Sequence, residues 1–246
     1  NPQYPIELRP GFSQYYSNSI RGDGTYSPQF SPFTQLSRNS YSSSLNFSQI
    51  LTKRFQFSLS MDLVMQDGLL STPHQRVYFA DRNDFFIEDF QLADDVEQLP
   101  TSRYKFPIGG RISYAISDMF IFRGYFRYYF DDWGINSYTA SAEIPIKISD
   151  KFTIYPIYRY YSQTASKYFY PKDVALSTDH YYTSDYDLSA FNANQYGFGI
   201  SYKDIFTSAK VWKIGLKSVD FRYNNYQRSI DFNANIFELG LKFIID

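Results

Sequence analysis

The sequence predicts an all-β protein, a transmembrane antiparallel up-and-down β-barrel of about ten strands, and three observations support this fold class. Apolar side chains recur at every second position from Phe55 to Met65, and the same alternation returns along most of the chain. Successive side chains of a strand point to opposite faces, so a period of two indicates strands with one apolar face. The strands are about ten residues long, without an apolar run that could form a helical span. Tight turns and long polar loops alternate between them.

We place each strand where apolar residues alternate between turn signals. The parity slips near Ser218, which predicts a β-bulge in the ninth strand. The strands cover residues 7–16, 41–51, 55–66, 104–116, 120–130, 138–148, 152–163, 196–203, 211–223 and 237–245. We expect neighbouring strands to pair in chain order, with an apolar face toward lipid that includes Phe57, Leu59, Met61, Phe122, Phe126, Ala142, Ile144, Ile146, Phe198, Ile200, Leu239 and Leu241.

The lengths of the connections predict an orientation. Turns at 52–54, 117–119 and 149–151 are tight, whereas the connections at 17–39, 67–102, 131–136, 164–187 and 224–231 lie at the opposite end. Outer-membrane barrels have short periplasmic turns and longer extracellular loops. We therefore expect the outer membrane of a Gram-negative bacterium, with long loops extracellular and both termini periplasmic. A soluble sandwich would also alternate, but long alternation, two-sided turns and aromatic strand ends favour the barrel.

Composition bounds the function. The chain has 246 residues, sufficient for a single β domain over 1–246, and aromatic residues make up 21 % of it, which suits strands and membrane interfaces. A formal net charge of −1 gives no bias toward nucleic acid. Cysteine is absent from the sequence, which excludes disulfides and thiolate chemistry.

Five segments resemble a known family. They read DGLLSTPHQRVYF at 67–79, LPTSRY at 99–104, YYFDDWGI at 128–135, YRYYSQ at 158–163 and SDYDLSAF at 184–191. In this order they resemble an uncharacterised family of Gram-negative outer-membrane proteins, domain of unknown function family 3570. The resemblance implies no established activity. It implies a longer barrel with strands before the matching part, and a link to envelope redox or flavin chemistry through neighbouring thioredoxin-like and flavin-transferase-like genes.

The polar face of the strands is the most informative candidate surface. Parity places Arg111, Arg123, Arg127, Glu143 and Arg159 on this face. Tight hairpins would set Glu143 opposite Tyr125, with Arg123, Arg127 and Arg159 at diagonal positions. Such a group could be a structural charge network that stiffens the wall. It could also be a basic stripe that selects anions or docks an acidic plug.

The compact loop after the fifth strand contains the second candidate group, Asp131, Asp132, Trp133 and Gly134. We expect an aspartate to accept hydrogen bonds from the loop amides, Gly134 to adopt a left-handed conformation, and Trp133 to pack at the lipid interface. A ligand site is the alternative for this loop.

Evidence for catalytic or metal chemistry is thin. His74 and His180 are the only histidines, and a Ser-His-Asp site around Asp179, His180 and Asp185 would lack a nucleophile motif. The segment 81–97 carries seven carboxylates against one arginine; calcium is conceivable there, but a solvated acidic loop is the simpler interpretation. We expect no metal, no cofactor and no enzyme activity.

The function that the sequence favours is a scaffold or subunit of an envelope protein assembly, in contact with outer-membrane lipid and other envelope proteins. An open porin-like channel for small, anionic solutes is the alternative, and a barrel enzyme is a third class.

Overall fold

The computed structural model describes residues 20–21, 24, 26, 28, 37–204, 206, 210–211 and 214–245. The first predicted strand, 7–16, lies outside these residues. The strands are β1 (Ile20–Arg21), β2 (Arg38–Thr52), β3 (Phe55–Gly68), β4 (Arg76–Val77), β5 (Phe86–Ile87), β6 (Phe90–Gln91), β7 (Asp95–Val96), β8 (Ser102–Ala115), β9 (Ile121–Asp131), β10 (Asn136–Glu143), β11 (Ile146–Lys147), β12 (Phe152–Gln163), β13 (Phe191–Lys203), β14 (Lys210–Val211), β15 (Ile214–Arg228) and β16 (Phe232–Ile245). One 3-10 helix spans Tyr186–Leu188.

The long strands form an antiparallel meander, as the sequence predicts. Their order across the sheet is β2, β3, β8, β9, β10, β12, β13, β15, β16, so each pairs with its neighbour in the chain. The bulge predicted near Ser218 is present as a register shift between Leu216 and Ser218. Among the described strands, β2 and β16 are the two edges of the sheet: β2 pairs with β3, β16 pairs with β15, and β2 does not pair with β16.

Several predicted boundaries were wrong: the predicted strand 138–148 is interrupted after Glu143 and resumes as β11, and β13 begins at Phe191 instead of Tyr196. The ninth strand was expected to end at Tyr223, with a loop over 224–231, but β15 continues to Arg228 and pairs with β16 along its length. Its last residues are polar on both faces, so hydrophobic alternation could not reveal the extension. Hydrogen bonding to β16 holds this end of β15 in the sheet.

The apolar face of the sheet is exposed, as predicted for a lipid-facing wall. Leu59, Phe126 and Leu239 leave 54 %, 53 % and 66 % of their surface accessible. Strands of this length bury little apolar area against one another, and a continuous apolar surface of this extent is unstable in water. The sheet therefore has the surface of a membrane-spanning β-wall, with its polar side chains on the opposite face.

The connections separate by length only in part, because residues 204–213 separate β13 from β15 at the end of the tight turns, and residues 229–231 form a short turn at the opposite end. The turns after β2, β8 and β11 are tight, and the loops after β3 and β12 at the other end are long. Within the described ranges, no helix is both long enough and apolar enough to cross a membrane.

The two long loops fold against each other into a compact unit, which we call the loop cap (residues 69–101 and 164–190). Its core is formed by Val77, Phe79, Ala175 and Tyr182, with the Phe79 and Tyr182 rings edge to face at 5.0 Å. β4 and β7 pair within the first loop, and Gln98 exchanges backbone hydrogen bonds with Tyr182 of the second. Most of the buried apolar side chains of the described residues therefore lie in the cap and at its junction with the sheet.

Candidate functional site

The polar face is strongly basic between β8 and β12. Its basic side chains there are Arg103, Lys105, Arg111, Arg123, Arg127, Lys147 and Arg159, and its carboxylates are Asp131 and Glu143. The sheet curls so that residues from β2 to β12 line one cavity of about 1060 Å³, which we call the main cavity. Smaller cavities of about 330 and 340 Å³ lie on the same face, and Arg159 lines all three.

The observed register corrects the predicted position of Glu143. Glu143 lies directly opposite Arg123, whereas Tyr125 lies opposite Ser141. The partner of Glu143 is two residues away from the predicted one because the compact loop 132–135 joins β9 to β10 and brings Phe130 opposite Asn136, which sets the register of the whole pair. Arg123 Nη1 donates to Glu143 Oε1 at 2.7 Å.

The remaining predicted arginines are not paired with Glu143. Arg111 lies opposite Tyr125 and stacks its guanidinium over that ring at 5.1 Å, while Arg127 lies opposite Thr139 and Arg159 opposite Ser141. Within the described residues, no carboxylate lies within 4.0 Å of these three guanidinium groups. The polar face therefore keeps uncompensated positive charge beside the main cavity, lined by Arg111 and Arg159, and beside the cavity of about 330 Å³, lined by Arg127 and Arg159.

We expect Glu143→Gln to cost about 1 kcal/mol of unfolding free energy or less, because Arg123 and Glu143 keep 55 % and 21 % of their side-chain surface accessible. Urea titration of the protein in vesicles measures this change. Arg123→Gln is the matched control, and the double variant should lose no more than either single change. A loss of about 3 kcal/mol or more would contradict a solvated pair and indicate a dry one.

A second polar cluster joins β8, β9 and the compact loop 132–135. Asp131 is buried and its Oδ2 accepts from Arg103 Nε at 2.9 Å and from the Tyr129 hydroxyl at 2.7 Å. Its Oδ1 accepts from the Ile135 amide at 2.9 Å, so the expected aspartate bond to the loop is present. Gly134 has a φ of +88°, the left-handed conformation that glycine adopts without strain. The sequence analysis considered only Glu143 as a partner for the arginines and so did not predict the Arg103–Asp131 pair. Strand parity could have indicated it, because both residues lie on the same face.

Trp133 is not at the lipid interface, and this expectation was wrong. Its side chain is buried beneath the loop cap, where Nε1 donates to the Ser102 carbonyl at 3.0 Å. The Arg103 guanidinium lies 4.3 Å from its ring and Tyr168 of the cap meets it edge to face. The two long loops cover Trp133 with polar and aromatic groups, and the sequence around Trp133 gives no sign of this burial. Asp132 accepts from the Tyr104 amide at 2.9 Å and so fixes the same loop to β8.

The acidic segment 81–97 is only partly solvated, which corrects the simpler interpretation. Asp95 and Glu97 are buried in the cap, where the hydroxyl groups of Tyr182 and Thr183 donate to them. Glu97 also accepts from the Thr72 amide at 2.5 Å. Within the described part of the chain, no three histidine, aspartate or glutamate side chains converge on a possible metal position.

The candidate triad residues have other roles. Asp185 caps the 3-10 helix by accepting from the Asp187 amide, and Asp179 accepts from the Leu176 amide. His180 packs its ring against Tyr181 at 4.4 Å, and His74 lies exposed in the first loop. The described geometry thus assigns both carboxylates to turns.

We expect the cap to lose stability as pH rises, through Glu97. Burial raises the pKa of the Glu97 carboxyl, and the hydrogen bonds from Thr183 and Thr72 offset this only in part. A carboxyl with a raised pKa in the folded state holds its proton more tightly there, so the stabilisation is complete below the ordinary pKa near ~4.3 and is lost as pH rises through the folded value. Limited proteolysis of the loops between about pH 4 and 8 measures the trend.

Glu97→Gln should flatten this pH dependence because the amide does not titrate. Asp81→Asn is the control: hydrogen bonds from Ser177 lower the pKa of Asp81, so this carboxyl contributes in the opposite direction. With Asp81→Asn, the stability of the loop cap should therefore still fall as pH rises. Equal slopes for the wild type and Glu97→Gln would remove Glu97 as the cause.

The five segments that carry the family resemblance meet at the capped end of the sheet. Gln75 Nε2 donates to Ser184 Oγ, and Gln163 Nε2 donates to the carbonyls of Asp187 and Ser189 at 3.0 and 2.5 Å. Trp133 and Ser102 are joined by the bond described above. Residues distant in sequence therefore form one continuous structure over the capped end of the polar face.

Comparisons with known proteins place this chain beside one family. A model described as "Protein of unknown function (DUF3570)" matches residues 7–236. Among solved structures, a "KdgM porin in complex with disordered oligogalacturonate" is similar at 12 % sequence identity and a TM-score of 0.31, covering 83 % of this chain and 94 % of that one. A search of curated proteins finds no match.

Proposed function

The chain belongs to the DUF3570 family of proteins of unknown function, and we propose that it is an outer-membrane barrel protein whose basic polar face conducts small anionic solutes. One observation supports this function above the scaffold alternative. Three guanidinium groups, those of Arg111, Arg127 and Arg159, lie on the polar face beside its cavities, without a carboxylate within 4.0 Å among the described residues.

Uncompensated arginines suit anion passage for a physical reason. A purely structural network would neutralise its guanidinium groups with carboxylates, as Arg123 and Arg103 do with Glu143 and Asp131. Charge that stays unpaired in a narrow polar space attracts mobile anions and repels cations. Guanidinium groups also bind carboxylates and phosphates through two parallel hydrogen bonds.

The apolar face supports a location in the outer membrane. Its exposed side chains would face lipid, and the tight turns and long loops fall at opposite ends, as they do in barrels of that membrane. We propose that the loop cap is extracellular and that the tight turns are periplasmic. We propose no intrinsic catalysis for this wall and cap.

Conductance through a planar bilayer tests the channel directly. We expect the full-length protein to form pores whose reversal potential in a potassium chloride gradient has the sign of anion selectivity. Closed bilayers, or pores that select potassium, would overturn the proposal. Reconstitution should be confirmed independently by the heat-modifiable gel shift of a folded barrel.

A subunit role in an envelope assembly is the second candidate, because of the sheet edges. β2 and β16 are long, both carry exposed apolar side chains, and they do not pair with each other among the described strands. Unpaired strand edges are costly in lipid, so residues outside the described ranges, further strands or a partner chain would have to complete the wall. We propose that these strands are part of a larger barrel.

Engineered cysteines distinguish these arrangements, since the natural chain has none. Ser44→Cys in β2 combined with Cys at Glu238 or Lys242 of β16 should not form a disulfide if other strands intervene. Ser44→Cys with Asp62→Cys is the positive control, because those residues are paired between β2 and β3. A disulfide between β2 and β16 would show that these strands close the wall by themselves. Co-purifying envelope proteins from native membranes would favour the subunit role.

A further inference from the structure

We propose that the outer end of the polar face holds a separate anion site, formed by Arg228 with Arg159, which takes a carboxylate or small oxyanion and is occupied by the chain's own Asp187 when no solute is bound. Arg228 Nη1 and Asp187 Oδ1 are 2.6 Å apart. Both residues, with Arg159, line the cavity of about 340 Å³. The position of this site on the conducting path rests on the proposed function, whereas the binding itself does not.

Arg228 is held as a fixed receptor group. Its guanidinium carbon lies 4.6 Å from the ring centre of Phe191 and 5.2 Å from that of Phe232, and Nε donates to the Tyr226 hydroxyl at 3.0 Å. These three contacts are with aromatic residues, and each residue lies in a different strand of the sheet, β13, β16 or β15. A guanidinium group that is oriented in advance loses little conformational freedom when it binds an anion.

Asp187 has the features of a tethered ligand. It lies in the 3-10 helix of the second long loop, and its own side chain remains 71 % accessible although it touches Arg228. The backbone beside it is attached to the wall by Gln163 Nε2, which donates to the carbonyls of Asp187 and Ser189. The carboxylate therefore reaches the receptor from a loop whose position does not depend on this ion pair alone.

The pair leaves space for a free solute. The cavity beside it is also lined by Gln195 and Tyr161, and Arg159 connects it with the main cavity. A solvated ion pair of this kind is weak, so a solute at sufficient concentration can displace the carboxylate. The resident carboxylate reveals the chemistry that the site accepts, because it is an anion of the same class.

Competition predicts the effect of removing the charge. Asp187→Asn should bind inorganic phosphate about fivefold more tightly than the wild type, since the free anion no longer competes with an ion pair of this strength. Asp231→Asn is the matched control: it removes one carboxylate from the turn between β15 and β16 at the same end, and asparagine tolerates its φ of +51°. Its affinity should change by about twofold or less, because the ion pair of Arg228 is with Asp187 and salt screens much of the charge of the exposed Asp231 carboxylate.

Calorimetric titration of the full-length protein with phosphate, in detergent, performs the test. The gain from Asp187→Asn should disappear when Arg228→Gln is added, and Asp187→Glu should retain the wild-type affinity. Equal affinities of Asp187→Asn and Asp231→Asn, a gain that survives Arg228→Gln, or no phosphate binding by Asp187→Asn would each overturn the site. Failure of the wild type to conduct would remove the channel while leaving the phosphate comparison as an independent result.

Discussion

Replacing Arg111 and Arg159 together by Glu should make the proposed anion-selective pore select cations. The double change replaces the two uncompensated guanidinium groups that line the main cavity by carboxylates. Potentials of several kT are typical of clefts lined by one sign of charge, so we expect the ratio of chloride to potassium permeability to fall about tenfold or more. The reversal potential in a potassium chloride gradient measures the ratio.

Lys53→Glu with Arg54→Glu is the matched control for this reversal. Both residues lie in the exposed turn between β2 and β3, outside the cavity lining, and the substitution changes the net charge by the same amount. The control pore should keep most of its anion selectivity. If both double variants shift the reversal potential equally, the wall arginines do not set selectivity and the channel would owe its preference to the total charge of the protein.

Replacing Leu59 by Lys should destabilise the barrel by about 2–4 kcal/mol if the side chain lies near the bilayer midplane. Leu59 is exposed on the apolar face of β3, opposite Phe47 of β2. Lysine there would carry its charge into hydrocarbon, where the cost of losing its hydration is large. Denaturant unfolding from lipid vesicles, followed by intrinsic fluorescence, measures the loss.

Ser58→Lys provides the corresponding control on the polar face. Ser58 is the preceding residue of the same strand and lines the main cavity, so its lysine would remain in water. We expect a change of about 0.5 kcal/mol or less for this variant. Similar losses for the two lysines would mean that both faces of β3 meet the same surroundings, which would contradict a lipid-facing wall.

The capped end of the molecule differs from the wall in the groups that it places beside the polar face. The cap contains buried carboxylates, covers Trp133, and carries Asp187, which pairs with Arg228 of the sheet. If solutes enter from the capped side, they meet the cavity at Arg228 and Arg159 before the main cavity. The sequence hypothesis of a basic stripe that selects anions or docks an acidic plug stays a prediction, since Asp187 pairs with Arg228, a residue that the sequence did not assign to that stripe.

The sequence by itself determined the meander, the two faces and the bulge near Ser218. These features depend on local alternation and short turns, which the side-chain period reports directly. The same logic put Arg111, Arg123, Arg127, Glu143 and Arg159 on one face. It did not determine which of them meet, because one slip of two residues exchanges Tyr125 for Arg123 opposite Glu143 and leaves the alternation unchanged.

Only the tertiary structure decided the contents of the capped end. The burial of Trp133 and Glu97, and the Asp187–Arg228 pair, join loops and strands that are far apart in the chain. Loops have no periodicity from which a partner can be inferred, and an acidic loop segment has the same composition whether it is solvated or folded. Packing of the two long loops against each other and onto the polar face fixes these contacts, since each loop provides the burial and the hydrogen-bond donors that the other lacks.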